Sequence, residues 1–326
     1  MTKLAAILGL LALLQDAVPL RLEFKPGDRE EMRFDLDMKM GMDISSDAVQ
    51  IKQGMDGKIL FTLRTDCKKA REKGYLFEAM FTDLDMDQKV LVGEQTMKIR
   101  VKGKSVRMEG PEGDVLVDTD NDVNPKLAEP MLKELDGFGV AADLEIDARG
   151  LIRDSKKTKR LPKLLQGVAA SGNLYPFVLP EKPVDVGDSW VYENELTSLG
   201  ELKLPGKPIK VPLKYTLERF EGEGAARVAV FSTKVDTELK DIECEGKMEG
   251  LAADVALKIK KLVYKGTGET RFRPAAGRVE KSELDLSLKA EMSADAQELG
   301  GEMTMKMTMN LKARIAPGTA KRKREF

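Results

Sequence analysis

The sequence predicts a mainly β protein, built as two related, long, curved antiparallel sheets that are half-barrel-like and carry one or two short helices. The first observation behind this prediction is the alternation of apolar and polar side chains over stretches much longer than the usual strand of about 5–6 residues. The second is the scarcity of segments with the spacing of an amphipathic helix. An apolar content of 42% is ample for a core of this kind.

The two clearest alternating segments lie near the beginning and the end of the chain. Charged, polar or glycine residues fill the positions between their apolar residues. Such strands belong to antiparallel sheets in which one face packs on a core and the other faces water. The apolar positions are Met32, Phe34, Leu36, Met38, Met40, Met42 and Ile44 in the first segment, and Met303, Met305, Met307, Met309, Leu311, Ala313 and Ile315 in the second.

Less regular alternation predicts several further strands. One more segment, residues 251–263, fits two periods, because Val255, Ile259 and Leu262 also have helical spacing. Lysines occupy the opposite positions, so we interpret this segment as a strand. The other predicted strands cover residues 49–63, 75–81, 97–108, 211–217 and 284–292.

A first helix is predicted over residues 125–136. Pro125 stands at the first helical position. Proline is tolerated there because an N–H at this position has no hydrogen-bond partner within the helix. Pro130 would remove a hydrogen bond from a continuous helix. The helix proper is therefore expected to begin near Leu127 and to end at Gly137.

Two turn motifs recur in the same order in both parts of the chain. Gly-Asp at residues 27–28 precedes the first long strand, and Gly-Asp-Ser-Trp at residues 187–190 precedes another. Farther along each part, residues 148–155 resemble residues 275–282. The pattern predicts an internal duplication, although Gly-Asp before a strand is also ordinary turn chemistry.

These landmarks divide the chain into segments. A second helix is expected over residues 161–170, and the proline-rich residues 175–183 are interpreted as a linker. In order, the segments are a signal peptide at 1–17, a first β-rich repeat at 20–158, the helix and linker at 159–183, a second β-rich repeat at 184–316 and a basic tail at 317–326.

The beginning of the chain predicts a secreted or periplasmic protein of the bacterial cell envelope. A short basic start is followed by an apolar run over residues 4–14, which fits a signal peptide because a membrane span needs about 20 residues. A buried first strand or helix is the alternative. No other apolar stretch approaches membrane length, so no transmembrane segment is expected in the mature chain. The sequence leaves open whether Cys67 and Cys244 pair in that compartment.

The landmarks resemble a family of secreted bacterial proteins that is classed as a domain of unknown function. The resemblance rests on the proline-rich stretch and Gly-Asp-Ser-Trp element of residues 179–190, on Lys-Gly-Thr-Gly-Glu-Thr-Arg-Phe at residues 265–272, and on Gly277. It covers most of the chain after residue 20. The resemblance implies a β-rich fold of two repeats, and it assigns no catalytic residue.

Composition excludes several classes of function. The 54 basic and 55 acidic side chains give a net charge of -1, so the chain lacks the basic character of a nucleic-acid-binding protein. The absence of histidine excludes histidine-based catalytic triads and histidine metal ligands. The phosphate-binding loop, the dinucleotide loop and the serine nucleophile motifs are also missing. A carboxylate-based hydrolase remains an alternative, although 55 acidic residues give no basis for choosing a pair.

Methionines provide the candidate ligand-facing surface. A flexible thioether surface suits irregular apolar ligands. The alternatives are a purely packed core and a Cu(I) site, because thioethers bind this soft ion. Trp190 is a further ligand-facing candidate, with a role as a core anchor as its alternative. The two methionine stripes consist of Met38, Met40 and Met42, and of Met303, Met305, Met307 and Met309.

An acidic loop gives one candidate metal site. Its carboxylates occupy positions 1, 3, 5 and 12 of a calcium loop, and alternating oxygen ligands suit this cation. Val123 stands where such a loop needs a glycine, so the alternative is a loop that caps the following helix. The primary expectation is no cofactor, with calcium as the alternative. The four candidate ligands are Asp118, Asp120, Asp122 and Glu129.

We therefore predict a non-catalytic secreted or periplasmic protein that binds an apolar, lipid-like ligand on a methionine-rich sheet face. One alternative is a structural or protein-interaction module of the cell envelope without a small ligand, in which the methionine stripes are buried between sheets. The other alternative is the carboxylate-based hydrolase.

Overall fold

A computed structural model describes residues 17–46, 50–153, 173, 175–196, 198–199, 202–203, 208–247, 254–296 and 301–318. Within these residues the protein is an antiparallel β-sheet of 15 strands with one short α-helix. The prediction of a mainly antiparallel β protein is confirmed. The signal-peptide prediction for residues 1–17, the helix predicted over 161–170 and most of the basic tail lie outside the described residues.

The strands are β1 (Arg29–Ser45), β2 (Gln50–Arg71), β3 (Gly74–Val92), β4 (Gln95–Lys102), β5 (Ser105–Glu109), β6 (Val115–Asp118), β7 (Ala142–Ile146), β8 (Ser189–Leu196), β9 (Ser198–Leu199), β10 (Leu202–Lys203), β11 (Ile209–Glu221), β12 (Val228–Lys247), β13 (Asp254–Arg273), β14 (Arg278–Ala296) and β15 (Gly301–Pro317). The α-helix is α1 (Glu129–Glu134), and short 3-10 turns cover Pro125–Ala128, Gly224–Ala226 and Pro274–Ala276.

The sheet runs β6-β5-β4-β3-β2-β1-β15-β14-β13-β12-β10-β9, while β7 pairs with β3, and β11 pairs with both β12 and β8. The first and last long strands, β1 and β15, are therefore neighbours. They pair without interruption from Met32↔Pro317 to Ser45↔Thr304. Because their apolar positions alternate in the same phase, this pairing joins the two predicted sheets edge to edge into one sheet.

The strand with two fitting periods, β13, contains a bulge. Its register with β14 shifts between Ile259 and Lys261, so Lys260 is the extra residue. A bulge of this kind places Ile259 and Leu262 on the same face of the sheet although they are three positions apart. Both side chains are buried. The helical spacing in the sequence is thus the signature of a bulged strand.

The predicted strand over residues 97–108 is interrupted in the structure. It is a hairpin of β4 and β5, with Lys102 opposite Ser105. The turn contains Gly103, whose φ of 62° lies in the left-handed region that favours glycine. Alternation on both sides of the turn explains why the pattern reads as one strand.

The first predicted helix is shorter than expected. Residues Pro125–Ala128 form a 3-10 turn, and α1 covers only Glu129–Glu134, with proline in its first turn. Pro130 has no N–H to donate to a preceding turn, so an α-helix can hold it only in its first turn. The helix ends at Glu134, before Gly137.

Two segments without regular secondary structure pack under one end of the sheet. Residues 18–24 lie across the glycine turns at Gly150 and Gly277, because Leu22 donates its N–H to Ala148 O (2.8 Å) and Glu23 donates to Gly277 O (3.2 Å). The second segment is the predicted linker, and Phe177, Val178 and Leu179 are fully buried in it. Its prolines prevent regular structure, but its apolar side chains belong to the core.

The two Gly-Asp turns have the same hydrogen bonds. Gly27 N–H donates to Cys67 O at 2.8 Å, and Gly187 N–H donates to Leu217 O at 2.7 Å. The φ angles of the two glycines are 92° and 93°. Each turn is followed by a strand, and the neighbouring strand has a register shift directly after Cys67 or Leu217. The turns are therefore equivalent in structure, and the internal duplication stays a prediction.

One face of the sheet is charged and carries ion pairs between neighbouring strands. Lys39 Nζ lies 3.3 Å from an Asp56 carboxylate oxygen, and Lys265 Nζ lies 3.4 Å from Asp236. These side chains are about half exposed or more. Exposed pairs of this kind contribute only about 0–1 kcal/mol each. They identify this face as the one in water, and the opposite face as the one that carries the core.

The two cysteines lie far apart in the sheet. Cys67 bonds to Asp28, just before β1 begins. The backbone of Cys244 in β12 is aligned, through β13 and β14, with Met303, next to the end of β1. A disulfide needs Cα atoms within about 7 Å, so the two residues cannot bridge within one chain. Cys67 is a buried free thiol.

No helix within the described part of the chain has the length and apolar character that a membrane crossing requires.

Candidate functional site

A continuous row of directly paired residues crosses the apolar face of the sheet near the middle of the long strands. Each member lies opposite the next on the neighbouring strand. Four of the eight are methionines, and we call this set the methionine row. From β12 to β4 it consists of Thr237, Tyr264, Leu288, Met309, Met40, Met55, Val90 and Met97.

The rows on both sides are also uncharged. Side chains two residues apart on a strand share a face, so the three rows form one surface. None of its members in the described residues carries a charge. The row toward the core contains Val235, Gly266, Leu286, Leu311, Met38, Gly57, Gln88, Ile99 and Met108, and the row on the other side contains Leu239, Leu262, Ala290, Met307, Met42 and Gln53.

The centre of this surface is half-buried, whereas its flanks are closed. Met38, Met40 and Met42 of β1 are half-buried, as are Met307 and Met309 of β15. On one flank, residues of β13 and β14 form a closed cluster. On the other flank, residues of β2 to β5 such as Ile59 and Val101 belong to the main buried core. A half-buried apolar strip therefore runs along β15, β1 and β2 between two closed cores.

Two of the predicted ligand-facing methionines belong to a closed core instead. Met303 and Met305 are only 3% and 2% exposed, and they pack with Ile259 and Met292. They lie near the start of β15, beyond the half-buried strip. The second methionine stripe is therefore divided into a core part, Met303 and Met305, and a half-buried part, Met307 and Met309.

Trp190 lies in the aromatic core and not on the methionine row. Its ring stacks on Tyr215 with centroids 5.5 Å apart and meets Phe231 edge-on, also at 5.5 Å. Its Nε1–H donates to Val178 O at 2.7 Å. All these contacts are internal, as expected of a tryptophan that anchors a core.

The acidic loop does not gather its carboxylates around a common point. Asp118 is buried, and its oxygens accept hydrogen bonds from Arg107, from the Asn121 side chain and from the backbone N–H groups that follow. The Asn121 side chain is the main cause of the lowered pKa of Asp118. Asp120, Asp122 and Glu129 are exposed. Within the described residues, histidine, cysteine, aspartate and glutamate side chains form no group of three that could hold a metal ion.

Two polar atoms without a hydrogen-bond partner lie at and beside the β12 end of the methionine row, one on a member of the row and one on β8. They are Thr237 Oγ1 and Asn194 Oδ1, both buried. Asn194 lies opposite Val211, on the same strand face as Trp190 and Tyr192. Val211 shares an apolar cluster with Val235, and Tyr264, the next member of the row, packs against it. A buried oxygen without a partner is unfavourable by about 1–3 kcal/mol.

The strand ladder opens beside Thr237. Strand β11 pairs with β8 over Ile209–Thr216, but its pairing with β12 begins only at Lys214↔Lys234. Pro212 lies in the part that pairs with β8 alone. A proline has no N–H to donate, so β11 cannot complete a ladder with β12 at this position.

Sequence reasoning missed Met55, Met97 and Thr237 of this surface. Met55 and Met97 fall within predicted strands, but their alternation is less regular, and β12, which carries Thr237, was not predicted. The signal for Thr237 would have been its place in the alternation of Phe231, Thr233, Val235 and Leu239. Membership of a row depends on register between distant strands, which a single strand's pattern does not specify.

The comparisons with known proteins do not assign the chain to a family. No family model matches it, and no curated protein matches it. Among solved structures, 12 chains match. The translocator domain of the autotransporter NalP from Neisseria meningitidis has a TM-score of 0.20 and 7% identity, covering 97% of this chain and 94% of that one.

Two further solved structures come from Pseudomonas aeruginosa. OccK5 (OpdH) has a TM-score of 0.21 and 7% identity, covering 90% of this chain and 99% of that one. OccK11 (OpdR) has a TM-score of 0.19 and 8% identity, covering 94% and 100%. At these TM-scores the likenesses support no conclusion about fold, function or location.

Proposed function

We propose that the protein is a non-catalytic secreted or periplasmic protein of the bacterial cell envelope that binds an apolar, lipid-like ligand on the methionine row. The observation that carries the proposal is the half-buried strip along β15, β1 and β2, which lies between two closed cores. Methionine side chains are unbranched and adapt to irregular apolar shapes. The envelope location rests on the signal-peptide pattern of residues 1–17.

The non-catalytic part of the proposal is supported by the surroundings of Glu30. Among the described residues it is the one carboxyl whose pKa is raised, and the cause is burial. Tyr175 donates its hydroxyl to Glu30 at 3.4 Å, and Arg278 Nε lies 4.0 Å from it. Arg278 also pairs with Asp28 at 2.8 Å. These contacts give Glu30 and Arg278 a role in joining the beginning of β1 to the beginning of β14.

A structural module without a small ligand is the second candidate, and the burial of Met303 and Met305 favours it. If Met40 and Met309 belong to a similar packed surface, polar substitutions there should unfold the protein. If they contact a ligand, the same substitutions should weaken binding while the fold persists.

The experiment is a titration of the wild-type protein with Nile red, a neutral dye whose fluorescence rises in an apolar environment. We expect saturable binding, and an affinity at least about tenfold lower in the double variant Met40→Gln and Met309→Gln. The control is Lys39→Gln, which changes the neighbouring residue on the charged face of the same strand and should bind as wild type. Absence of saturable binding to the folded wild-type protein would contradict the proposal.

A further inference from the structure

The strand β8 forms an open edge of the sheet. Within the described part of the chain it pairs only with β11, from Ile209↔Leu196 to Thr216↔Ser189, without a register shift. It contains neither proline nor lysine. The opposite edge differs, because β6 has only 4 residues and its register with β5 shifts. Native sheets protect their edges with short strands, bulges, proline and lysine, so β8 remains open to pairing with a further strand.

Alternate residues of β8 direct their backbone groups away from the sheet. Leu217 of β11 donates its N–H to Asp188 O at 2.9 Å. Residues that bond with the neighbouring strand alternate along an antiparallel pair, so Tyr215, which lies opposite Trp190, also bonds with β8. The N–H and C=O groups of the intervening residues of β8 therefore point outward. These residues are Ser189, Val191, Glu193 and Glu195, and all four are exposed.

The outward groups have no partner strand among the described residues. The edge is bonded on the β11 side alone, and no other described backbone group bonds to it. Val191, in the middle of this row, is an apolar side chain that is 56% exposed. An extended segment that pairs with these N–H and C=O groups would add a strand to the sheet.

The sequence of β8 fits a second copy of itself. In an antiparallel pair centred on Tyr192, Val191 of each copy lies opposite Glu193 of the other, and Ser189 lies opposite Glu195. All outward backbone groups from Ser189 to Glu195 are then paired between the two copies. No two glutamates lie directly opposite each other, which matters because like charges in that position are destabilising.

Other registers of the same strand are less favourable. A pair centred on Glu193 places this residue opposite itself, and a pair centred on Val191 leaves Glu195 opposite Gly187, which lies before β8 begins. Within each copy the charge of Glu193 is already balanced, because Lys210 Nζ lies 2.6 Å from its carboxylate. The acidic side chains of β8 therefore select the register centred on Tyr192.

We propose that β8 is a dimerisation edge, at which two copies of this chain pair antiparallel about a two-fold axis at Tyr192. The same strand serves both copies, as a two-fold interface requires. The two sheets become one continuous sheet across the axis. Strands β11, β12, β13 and β14 separate this edge from β15, so the proposal does not depend on a ligand at the methionine row.

The test is sedimentation equilibrium of the mature wild-type protein between about 1 and about 500 μM, because a single strand pair is a small interface. We expect a reversible equilibrium of monomer and dimer. Val191→Pro removes one outward N–H from each copy and leaves the bonds with β11 intact. It should weaken dimerisation at least about tenfold without changing the circular dichroism spectrum.

Val191→Thr is the matched control, because it keeps the N–H and the β-branched shape, and it should dimerise as the wild type does. A wild-type protein that stays monomeric over the whole range would overturn the proposal. Dimerisation of Val191→Pro with the affinity of the wild type would also overturn it, since the interface would then lie elsewhere.

Disulfide cross-linking tests the register. The double variant Val191→Cys and Glu193→Cys brings cysteines from the two copies directly opposite each other, with Cα atoms about 5.5 Å apart. We expect a covalent dimer after mild oxidation, seen by non-reducing electrophoresis, whereas the wild type should give none. Each single variant should cross-link far less, because its cysteine faces a glutamate or a valine. Equal cross-linking by a single variant, or none by the double variant, would contradict the register centred on Tyr192.

Discussion

Met40 of the first long strand lies directly opposite Met309 of the last, and on its other side it lies opposite Met55. Three thioethers from three neighbouring strands therefore stand side by side where β1 and β15 join. All three side chains are half-buried. Direct cross-strand neighbours have Cβ atoms about 4.5–5.5 Å apart, so these methionines form one apolar patch.

Because the methionines differ in burial, we predict that the same substitution destabilises the protein by different amounts at two positions. Met305 is 2% exposed in a closed core, so Met305→Ala should lower the free energy of unfolding by about 2–5 kcal/mol. Met40 is half-buried, so Met40→Ala should lower it by about 1 kcal/mol or less. Urea unfolding followed by circular dichroism measures both. Equal losses would mean that Met40 is packed like Met305.

The contact of residues 18–24 with the turn at Gly277 predicts that a substitution of Gly277 strongly destabilises the protein. Its φ is +62°, and a Cβ atom there would lie 2.4 Å from the backbone nitrogen of Glu23. We expect Gly277→Ala to destabilise the protein by about 2–4 kcal/mol, because it adds a clash with backbone to the cost of the left-handed conformation.

Gly187→Ala is the matched control for Gly277→Ala. Gly187 also has a positive φ, +93°, but a Cβ atom there would meet nothing within 4 Å. Only the conformational cost of about 1–2 kcal/mol should remain. Thermal unfolding of both variants gives the comparison, and a smaller loss in Gly277→Ala than in Gly187→Ala would show that residues 18–24 do not pack on this turn.

Glu30 predicts a pH dependence of stability. Burial raises its pKa above the ordinary value of 4.5, so the folded state holds its proton more tightly than the unfolded state. Its contribution to stability is then fully present below the unfolded pKa, and it is lost as the pH rises through the folded pKa. We expect the wild-type protein to lose stability relative to Glu30→Gln as the pH rises from below the ordinary carboxyl pKa of 4.5 toward neutrality.

Urea unfolding of the wild type and of Glu30→Gln across this range measures the difference, in which the contributions of the other carboxylates cancel. Arg278 and Tyr175 oppose the effect of burial, because both favour the ionised carboxylate. A wild-type protein that gains stability relative to Glu30→Gln as the pH rises would show that these two contacts outweigh burial.

The strand order predicts that Cys67 and Cys244 do not pair within one chain. They lie in β2 and β12, which are five places apart in the sheet, and near opposite ends of the long strands. Monomeric protein, denatured without reductant and treated with iodoacetamide, should therefore take up two labels by intact mass. A monomer that takes up none would contradict the register of the sheet.

The sequence predicted the long strands but not how they meet. The alternation in residues 32–44 and 303–315 corresponds to β1 and β15, because side-chain alternation is a local property of a strand. Their pairing with each other depends on contacts nearly the whole chain length apart. No local pattern specifies it, so the two predicted sheets are one in the structure.

Other differences have local causes. The bulge at Lys260 gave β13 a helical spacing, and Gly103 divided a continuous alternation into a hairpin. The prolines around Phe177 suggested a linker, whereas Phe177, Val178 and Leu179 of this segment are buried. Proline limits regular structure, but it does not prevent the apolar side chains between prolines from packing in a core.

The candidate site was predicted in part. Met38, Met40, Met42, Met307 and Met309 line the half-buried strip, as their alternation suggested. Met303 and Met305 lie on the same strand as Met307 and Met309, but nearer its start, where they belong to a buried cluster. Thr237 and Asn194 were not predicted, because an unpaired oxygen is defined by surrounding atoms and not by the sequence.

The most direct test of ligand binding is native mass spectrometry of the mature protein purified from a bacterial envelope fraction, before and after solvent extraction. We predict a stoichiometric apolar adduct that leaves on extraction and whose mass identifies the ligand. A protein with the mass of the bare chain, which gains no adduct after incubation with envelope lipids, would contradict the proposed binding of an apolar ligand and favour a structural or protein-interaction module.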